Sequence, residues 1–563
     1  LSLIRAFADS IRKIWEVPGF AMSIVKDDKV IFAEGFGQRN IEKNLPATEN
    51  TLFAIGSCSK AFTTMILGFL AEEGKIDWNE LVKTYLPVYK LHDDFATARM
   101  TPRDLVTHNS GLPRHDLLWY GSSLTREQMF NRLQYLEPNK DFRTTYQYQN
   151  LMFMTAGYLA GQVAGTTWEN LVKDRIFTPL GMANSNFSVE DSKKSDNHAL
   201  PYVEKDDKIA FTPFRNIDEI GPAGSINSSV ADMAQWVRFQ LNKGKVGDKQ
   251  LISESSFAMM HTPYTTMSSP QQYDEVSLAS YGLGWVIQYY RGHKRVSHGG
   301  GIDGFTAHVG LLPRDNIGMV ILTNKGGTPL PRIVSYYVTD LLLEMEPVDW
   351  NSRIKSQVDK AKESQEKQED KKDEQRITGT KPSHKLAEFA GEYEHPGYGI
   401  INITHGNKQL SANFNSFSFP LEHWHYDVFR ITEDIFASMK MTFYTNEKGD
   451  IDHLAIPLEA AVDPIIFDRK PSSEMADPKF LARFVGEYEL ESGTVVTVAM
   501  KGKRAITVTV PGQPTYDLEP YKETTFNLRG LTGYSLKFVS DKNDRVVEAV
   551  FLQPNGTFPA KRK

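Results

Sequence analysis

The segment Leu386-Ala-Glu-Phe-Ala-Gly-Glu-Tyr-Glu394 returns 95 residues later as Leu481-Ala-Arg-Phe-Val-Gly-Glu-Tyr-Glu489. A second pair keeps the same offset: Phe443 in T-F-Y-T-N-E-K-G-D matches Phe538 in K-F-V-S-D-K-N-D. A fixed offset means that one supersecondary unit has been used twice. Each copy is made of short alternating runs broken by Gly, Asn, Asp and Pro, without helical periodicity. Residues 385–470 and 471–563 therefore read as two small all-β modules. Each is expected to close into a barrel, because closure removes the edges that such strands would otherwise expose.

The repeats fill only the last part of a 563-residue chain, which is long enough for about two to four domains. Just before them, Asp359 to Gln375 is almost entirely charged or amide residues of both signs. Such a stretch cannot build a core, so 348–384 reads as a linker or an exposed helix extension. Residues 1–347 form the remaining unit. Leu1–Trp15 has helical spacing, and Phe20–Lys26 and Lys29–Glu34 read as strands joined by Asp27-Asp28. Lys60–Glu73 reads as a helix apolar on most faces. Ser229-Val-Ala-Asp232 reads as a capping box opening a helix toward Leu241. Gly284–Tyr290, Phe305–Leu312 and Ile317–Thr323 read as strands, and Arg332–Glu344 as a closing helix. Strands, then helices, then strands suggest one mixed sheet built from both ends of the unit, with a helical insertion between.

The net charge of −6 gives no electrostatic footprint for nucleic acid. No apolar run is long enough to span a bilayer; Met65–Ala71 is among the longest. A single cysteine excludes a disulfide framework and a Cys-rich zinc site. The chain starts at Leu1, which favours a periplasmic or secreted protein with its signal removed.

Three stretches of the first unit carry chemistry. In G-S-C-S-K, Ser57 and Lys60 stand three apart, so a helix starting near Ser57 makes them neighbours. A serine hydroxyl needs a base to become a nucleophile, and a desolvated lysine can be that base. The free N–H groups of a helix start can hold an oxyanion. Alone, the pattern far more often marks a capping serine and an exposed lysine. Ser59 has no lysine three residues on, and nothing marks Cys58 as an activated thiol. In Y-Q-Y-Q-N, Tyr148 and Asn150 flank one residue and can face one way. A nearby ammonium would favour the Tyr148 phenolate, and the Asn150 amide offers both donor and acceptor. In V-S-H-G-G-G-I-D-G-F, the glycines spell G-x-G-x-x-G but precede a strand-like run, which rules out a dinucleotide fingerprint. Glycines on a strand permit close approach of a ligand, and His298 stands just before them. There is no G-x-S-x-G elbow and no H-E-x-x-H. His423 and His425 could begin a metal site, but the sequence places no further ligand beside them.

Taken in order, these stretches resemble the S-x-x-K, Y-x-N and K/H-x-G motifs of the serine β-lactamase and penicillin-binding superfamily, in its class C β-lactamase, D-aminopeptidase and class VIII esterase branch. L-V-T-H-N-S-G-L-P at 105–113, G-P-A-G-S at 221–225 and Y-G-L-G-W at 281–285 add to it, and it covers roughly residues 5 to 345. It implies an α+β fold: a β-lactamase/transpeptidase-like domain with an antiparallel sheet flanked by helices, followed by the two barrels. It implies Ser57 as the acylated nucleophile, with Lys60 and Tyr148 sharing its proton. Asn150, His298 and Gly300 would bind substrate, and the backbone N–H groups of Ser57 and Gly301 would form the oxyanion hole. His108 would be structural. No metal or cofactor is implied. The expected substrate is a small molecule or short peptide carrying an amide or ester, and a homo-oligomer is left open. His298 stands where class C β-lactamases usually carry lysine. Together with the C-terminal repeats it leans toward D-aminopeptidase-like peptidases, where a barrel loop reaches the active site. A short-chain carboxylesterase, a weak β-lactamase and a non-catalytic penicillin-binding sensor are the alternatives.

Overall fold

The computed structural model describes residues 1–433 and 436–563, and leaves aside the side chains of residues 365 and 368–374. Helix α1 (Ser2–Ile14) buries Ile4, Ala8 and Ile11, a single stripe at helical spacing. Strands β1 (Gly19–Lys26) and β2 (Lys29–Asn40) form a hairpin. Its turn holds Asp27 and Asp28 at positive φ, a conformation that Asp tolerates and that matches strand twist. Phe20, Met22 and Ile24 of β1 join one core, and Ala21 and Val25 join the other. The strand is thus buried on both faces, which is why its sequence is nearly continuous in apolar residues.

The helical insertion follows: α2 (Lys60–Glu72), α3 (Asn150–Ala164) and α4 (Val230–Leu241). Every residue of α2 from Lys60 to Leu70 is buried, and Phe62 stacks on Trp236 of α4 at 4.0 Å. The capping box expected at Ser229 is only half formed. Ser229 accepts from the Asp232 amide, but the Asp232 carboxylate takes the Asn184 and Ser185 amides and the Ser185 hydroxyl instead.

The chain then returns through β3 (Val286–Tyr290), β4 (His293–Ile302), β5 (Phe305–Leu312) and β6 (Ile317–Thr323). Together with short edge strands, these make a nine-stranded sheet in which β6 lies beside β1. The sheet is antiparallel throughout, not mixed. The chain re-enters at the far edge and winds back by hairpins, so no parallel pair arises. Helix α5 (Leu330–Leu342) packs with α1 on one face, and the insertion covers the other.

The charged segment is part of one helix, α6 (Trp350–Glu374). Its start is anchored: Trp350 is buried and stacks on Tyr336 of α5 at 4.5 Å. Beyond it, Arg376 donates to the His423 and Trp424 carbonyls of the first module. Both modules are closed eight-stranded barrels, from Gly391–His395 to Ile465–Arg469 and from Gly486–Leu490 to Gly556–Arg562. The repeated signature closes them. Tyr393 and Tyr488 pair with Arg469 and Arg562 of the last strands, and their hydroxyls donate to the carbonyls of Phe389 and Phe484.

Candidate active site

Ser57 sits on a short 3-10 turn, Gly56–Ser59, that runs directly into α2. Lys60 is the first residue of α2 and is fully buried. Its Nζ lies 3.0 Å from Ser57 Oγ, 2.7 Å from Asn150 Oδ1 and 2.8 Å from the Ala223 carbonyl. The last two atoms only accept. A neutral amine therefore spends both its hydrogens on them and turns its lone pair toward the Ser57 hydroxyl. Burial, reinforced by the positive charge of Arg114, holds Lys60 well below the usual lysine range. Within this cluster the amine is poised to accept a proton.

Asn150 opens α3, and Tyr148 lies in the extended segment before it. The expected shared orientation is present: Tyr148 offers its ring to Lys60, 4.7 Å from Nζ to centroid, while Asn150 offers its oxygen. The phenolate expectation does not hold. Burial raises the Tyr148 phenol above its ordinary value, and its contact with the Ser57 hydroxyl only partly offsets this. Tyr148 therefore stands beside Ser57 as a neutral O–H.

His298 is buried, and both its nitrogens are engaged. Nδ1 lies 2.6 Å from the Gly299 carbonyl, so it must carry the hydrogen, and Nε2 accepts from the Tyr281 hydroxyl at 2.9 Å. Burial, with Lys60 nearby, pulls the imidazole down to about 3. The ring is neutral and is not a cationic anchor for a carboxylate. His108 is also buried, with Nδ1 accepting from the Gln149 amide and its ring against Tyr148 and Tyr281. Cys58 donates to the His298 carbonyl at 3.3 Å, and burial pushes its thiol up to about 12.

Strand β4 is pressed against the Ser57 turn. A Cβ on Gly300 would meet the Ile55 carbonyl oxygen at 1.9 Å, and one on Gly56 would meet the Gly301 nitrogen at 2.6 Å. Gly56 also holds a positive φ of 51°. Gly300→Ala is expected to displace β4 and lower the melting temperature; an unchanged melting temperature would contradict the close packing.

A cavity of about 770 Å³ opens at Ser57, Tyr148 and His298. On this side β3 pairs with β4 only as far as Ser297, while β5 pairs with β4 through Gly299–Ile302 on the other edge. The Gly299–Gly301 edge thus faces the cavity without a strand partner from β3.

Sequence reasoning did not single out Arg114 and Asp116. Asp116 accepts from Arg114 Nε at 2.5 Å, Asn150 Nδ2 at 3.0 Å and Trp119 Nε1 at 2.8 Å. Its carboxylate fixes the Asn150 amide with the oxygen toward Lys60. These residues directly follow L-V-T-H-N-S-G-L-P, so their position was signalled but their role was not. Ala223 and Tyr281 lie inside G-P-A-G-S and Y-G-L-G-W, likewise without an assigned role.

The first barrel grips this same loop. The His115 amide donates to Glu459 at 2.8 Å, its Nδ1 lies 2.7 Å from the Tyr398 hydroxyl, and its Nε2 lies 2.8 Å from the Glu137 carbonyl. Asn415 donates to the Leu117 and Tyr120 carbonyls. Phe417 stacks on Tyr120, whose hydroxyl donates to Asp303 in the β4–β5 turn. By contrast, His423 Nε2 bonds to the Tyr426 carbonyl and His425 Nδ1 accepts from the Ile377 amide. Among the described residues no group of three or more His, Cys, Asp or Glu could hold a metal ion, and no described helix is long and apolar enough to cross a membrane.

The chain was compared with known proteins. The family model described as Beta-lactamase matches residues 7–343, and a domain of unknown function (DUF3471) matches 375–469. The Unguisins hydrolase ungD' of Aspergillus campestris (strain IBT 28561) is 28% identical over 440 residues, covering 70% of this chain and 77% of its own. The Unguisins hydrolase ungD of Aspergillus violaceofuscus (strain CBS 115571) is 30% identical, covering 69% and 74%. Protein flp of Staphylococcus aureus (strain MW2) is 25% identical, covering 58% and 63%. The octameric penicillin-binding protein homologue from Pyrococcus abyssi matches with a TM-score of 0.55 and 23% identity, over 83% of this chain and 99% of that one; at that identity the likeness is one of fold. The family match spans well over half of the chain, and the sheet, the insertion and the Ser57 turn all lie within it: this chain belongs to the Beta-lactamase family.

Proposed function

We propose that the chain is a serine acyl-hydrolase that works through an acyl-enzyme on Ser57. The observation that carries this reading is the buried Lys60 amine, 3.0 Å from Ser57 Oγ with its other two partners fixed as acceptors. Lys60 takes the Ser57 proton as Oγ attacks a carbonyl carbon. The backbone N–H groups of Ser57 and Gly301 receive the oxyanion. Tyr148, neutral beside Ser57, passes its proton to the leaving group and regains one from the Lys60 ammonium; water then attacks the acyl carbonyl, losing a proton to Lys60, which returns it to Ser57 Oγ as the acyl group leaves. No step needs a metal or cofactor.

The free edge at Gly299–Gly301 supports an extended amide substrate, because a peptide can add there as a strand. The names of the two Aspergillus relatives support hydrolysis. The neutral His298 argues against reading a substrate carboxylate at that position. We therefore place short peptides, including those with D-residues, ahead of short-chain esters. Assays across p-nitrophenyl esters, D- and L-aminoacyl anilides and a β-lactam test this. Turnover of anilides is expected. Turnover of esters alone would select the carboxylesterase reading, and no turnover of any by folded protein would overturn the hydrolase reading.

The first barrel acts on this chemistry through the loop it holds. Tyr398 and Glu459 fix His115, whose neighbour Asp116 orients Asn150. Tyr398→Phe combined with Glu459→Gln is expected to lower kcat by about 10–100-fold, the scale of a small misplacement of reacting groups, with KM nearly unchanged. An unchanged kcat would mean that the barrel only frames the cavity.

A further inference from the structure

The two barrels differ at one end. In the first, that end is filled by phenylalanines: Phe436 packs against Phe414, Phe417 and Phe419, and Phe414 packs against Phe467. The same end is capped by the catalytic domain through His115, Tyr120 and Gly121. Strand register identifies the corresponding positions in the second barrel. Arg469 and Arg562 pair alike with Tyr393 and Tyr488, so Phe467 corresponds to Ala560. Leu410 pairs with Leu421 as Ile506 pairs with Leu518, so Phe414 corresponds to Val510. The loop after the fifth strand carries Phe436 in the first barrel and Leu531 in the second.

The side chains are smaller at each place, and two of them, Val510 and Leu531, line an open space. The mouth of the second barrel holds a cavity of about 560 Å³, walled by Leu490, Val510, Leu531 and Phe551. Gln513 and Gln553 add amides, and among the described residues Glu491 is the one charged side chain that lines it. A half-open space of this volume, walled by apolar side chains with amide and hydroxyl groups among them, has the dimensions of a small-molecule site, and a barrel mouth is where such sites form. Among the described residues no cation lines it, and Glu491 would repel an anion.

We propose that the mouth of the second barrel binds a small, uncharged molecule with both apolar and hydrogen-bonding groups, occupying the space that Phe414 and Phe436 fill in the first. The site is separate from Ser57 and does not depend on the hydrolase reading.

Titration of the full chain with N-phenyl-1-naphthylamine, a neutral probe that fluoresces on leaving water, tests this. Saturable binding at one site per chain is expected. Leu531→Phe with Val510→Phe, which restores two phenylalanines of the first barrel's plug, should weaken it about tenfold or more without changing Ser57 labelling. Val510→Phe alone is a milder filling that should weaken binding in the same direction if the double variant fails to fold. No saturable binding, or equal binding by the filled variants, would overturn the proposal. So would a doubled mass in sedimentation that the same substitutions revert, which would give the mouth to a second copy of the chain.

Discussion

Lys60→Met is expected to slow acylation of Ser57 by about 10²–10⁴-fold, the usual worth of a positioned base, while the fold persists. Met approximates the length of the buried stem but has no lone pair that can take the Ser57 proton. Two effects on stability oppose each other. Removing a titratable amine from a fully buried site relieves a desolvation cost. Leaving Asn150 Oδ1 and the Ala223 carbonyl without their donor costs about 1–3 kcal/mol for each group left unpaired. The melting temperature is therefore expected to move by only a few degrees while the rate collapses. Labelling kinetics and thermal melts on the same sample separate the two. A variant that acylates at the wild-type rate would show that Lys60 is not the base.

Asn150→Asp is the second large effect, and its sign follows from charge. It places a carboxylate where the amide oxygen now lies 2.7 Å from Lys60 Nζ. An opposite charge at that distance raises a lysine pKa by about 1–3 units. In the proposed mechanism Lys60 acts only when neutral, so activity is lost as pH falls through its pKa. The acid limb of the rate profile should move to higher pH, and the rate at neutral pH should fall about tenfold or more. The new carboxylate also faces Asp116, which accepts from the Asn150 amide nitrogen in the native chain, so part of the orientation is lost as well. An unshifted acid limb would mean that the profile reports some other group. His298 and Tyr148 add no limb near neutrality, because burial holds the imidazole neutral and the phenol protonated.

Local periodicity was enough for much of the fold. The strands at Phe305–Leu312 and Ile317–Thr323 and the helix from Lys60 follow from apolar spacing, and the repeat announced both barrels. The direction of strand pairing did not follow. It depends on where the chain re-enters the sheet after the insertion, which no local pattern encodes. In the site, the Ser57–Lys60 pair was legible because three residues make one helical step. Asp116 was not, because its role lies in contacts to Asn150 and Trp119 that only the folded loop creates. The protonation state of Tyr148 also escaped the sequence. Residue type suggests a charge, but burial decides it, and burial is a property of the assembled core.

The most direct test is intact-mass and peptide-mapping spectrometry after incubation with a fluorophosphonate. The expected result is one phosphonyl adduct per chain, mapped to the peptide containing Ser57, lost in Ser57→Ala and formed far more slowly in Lys60→Met. Folded wild-type protein that gains no adduct, or gains one elsewhere, would contradict the assignment of Ser57 as the nucleophile.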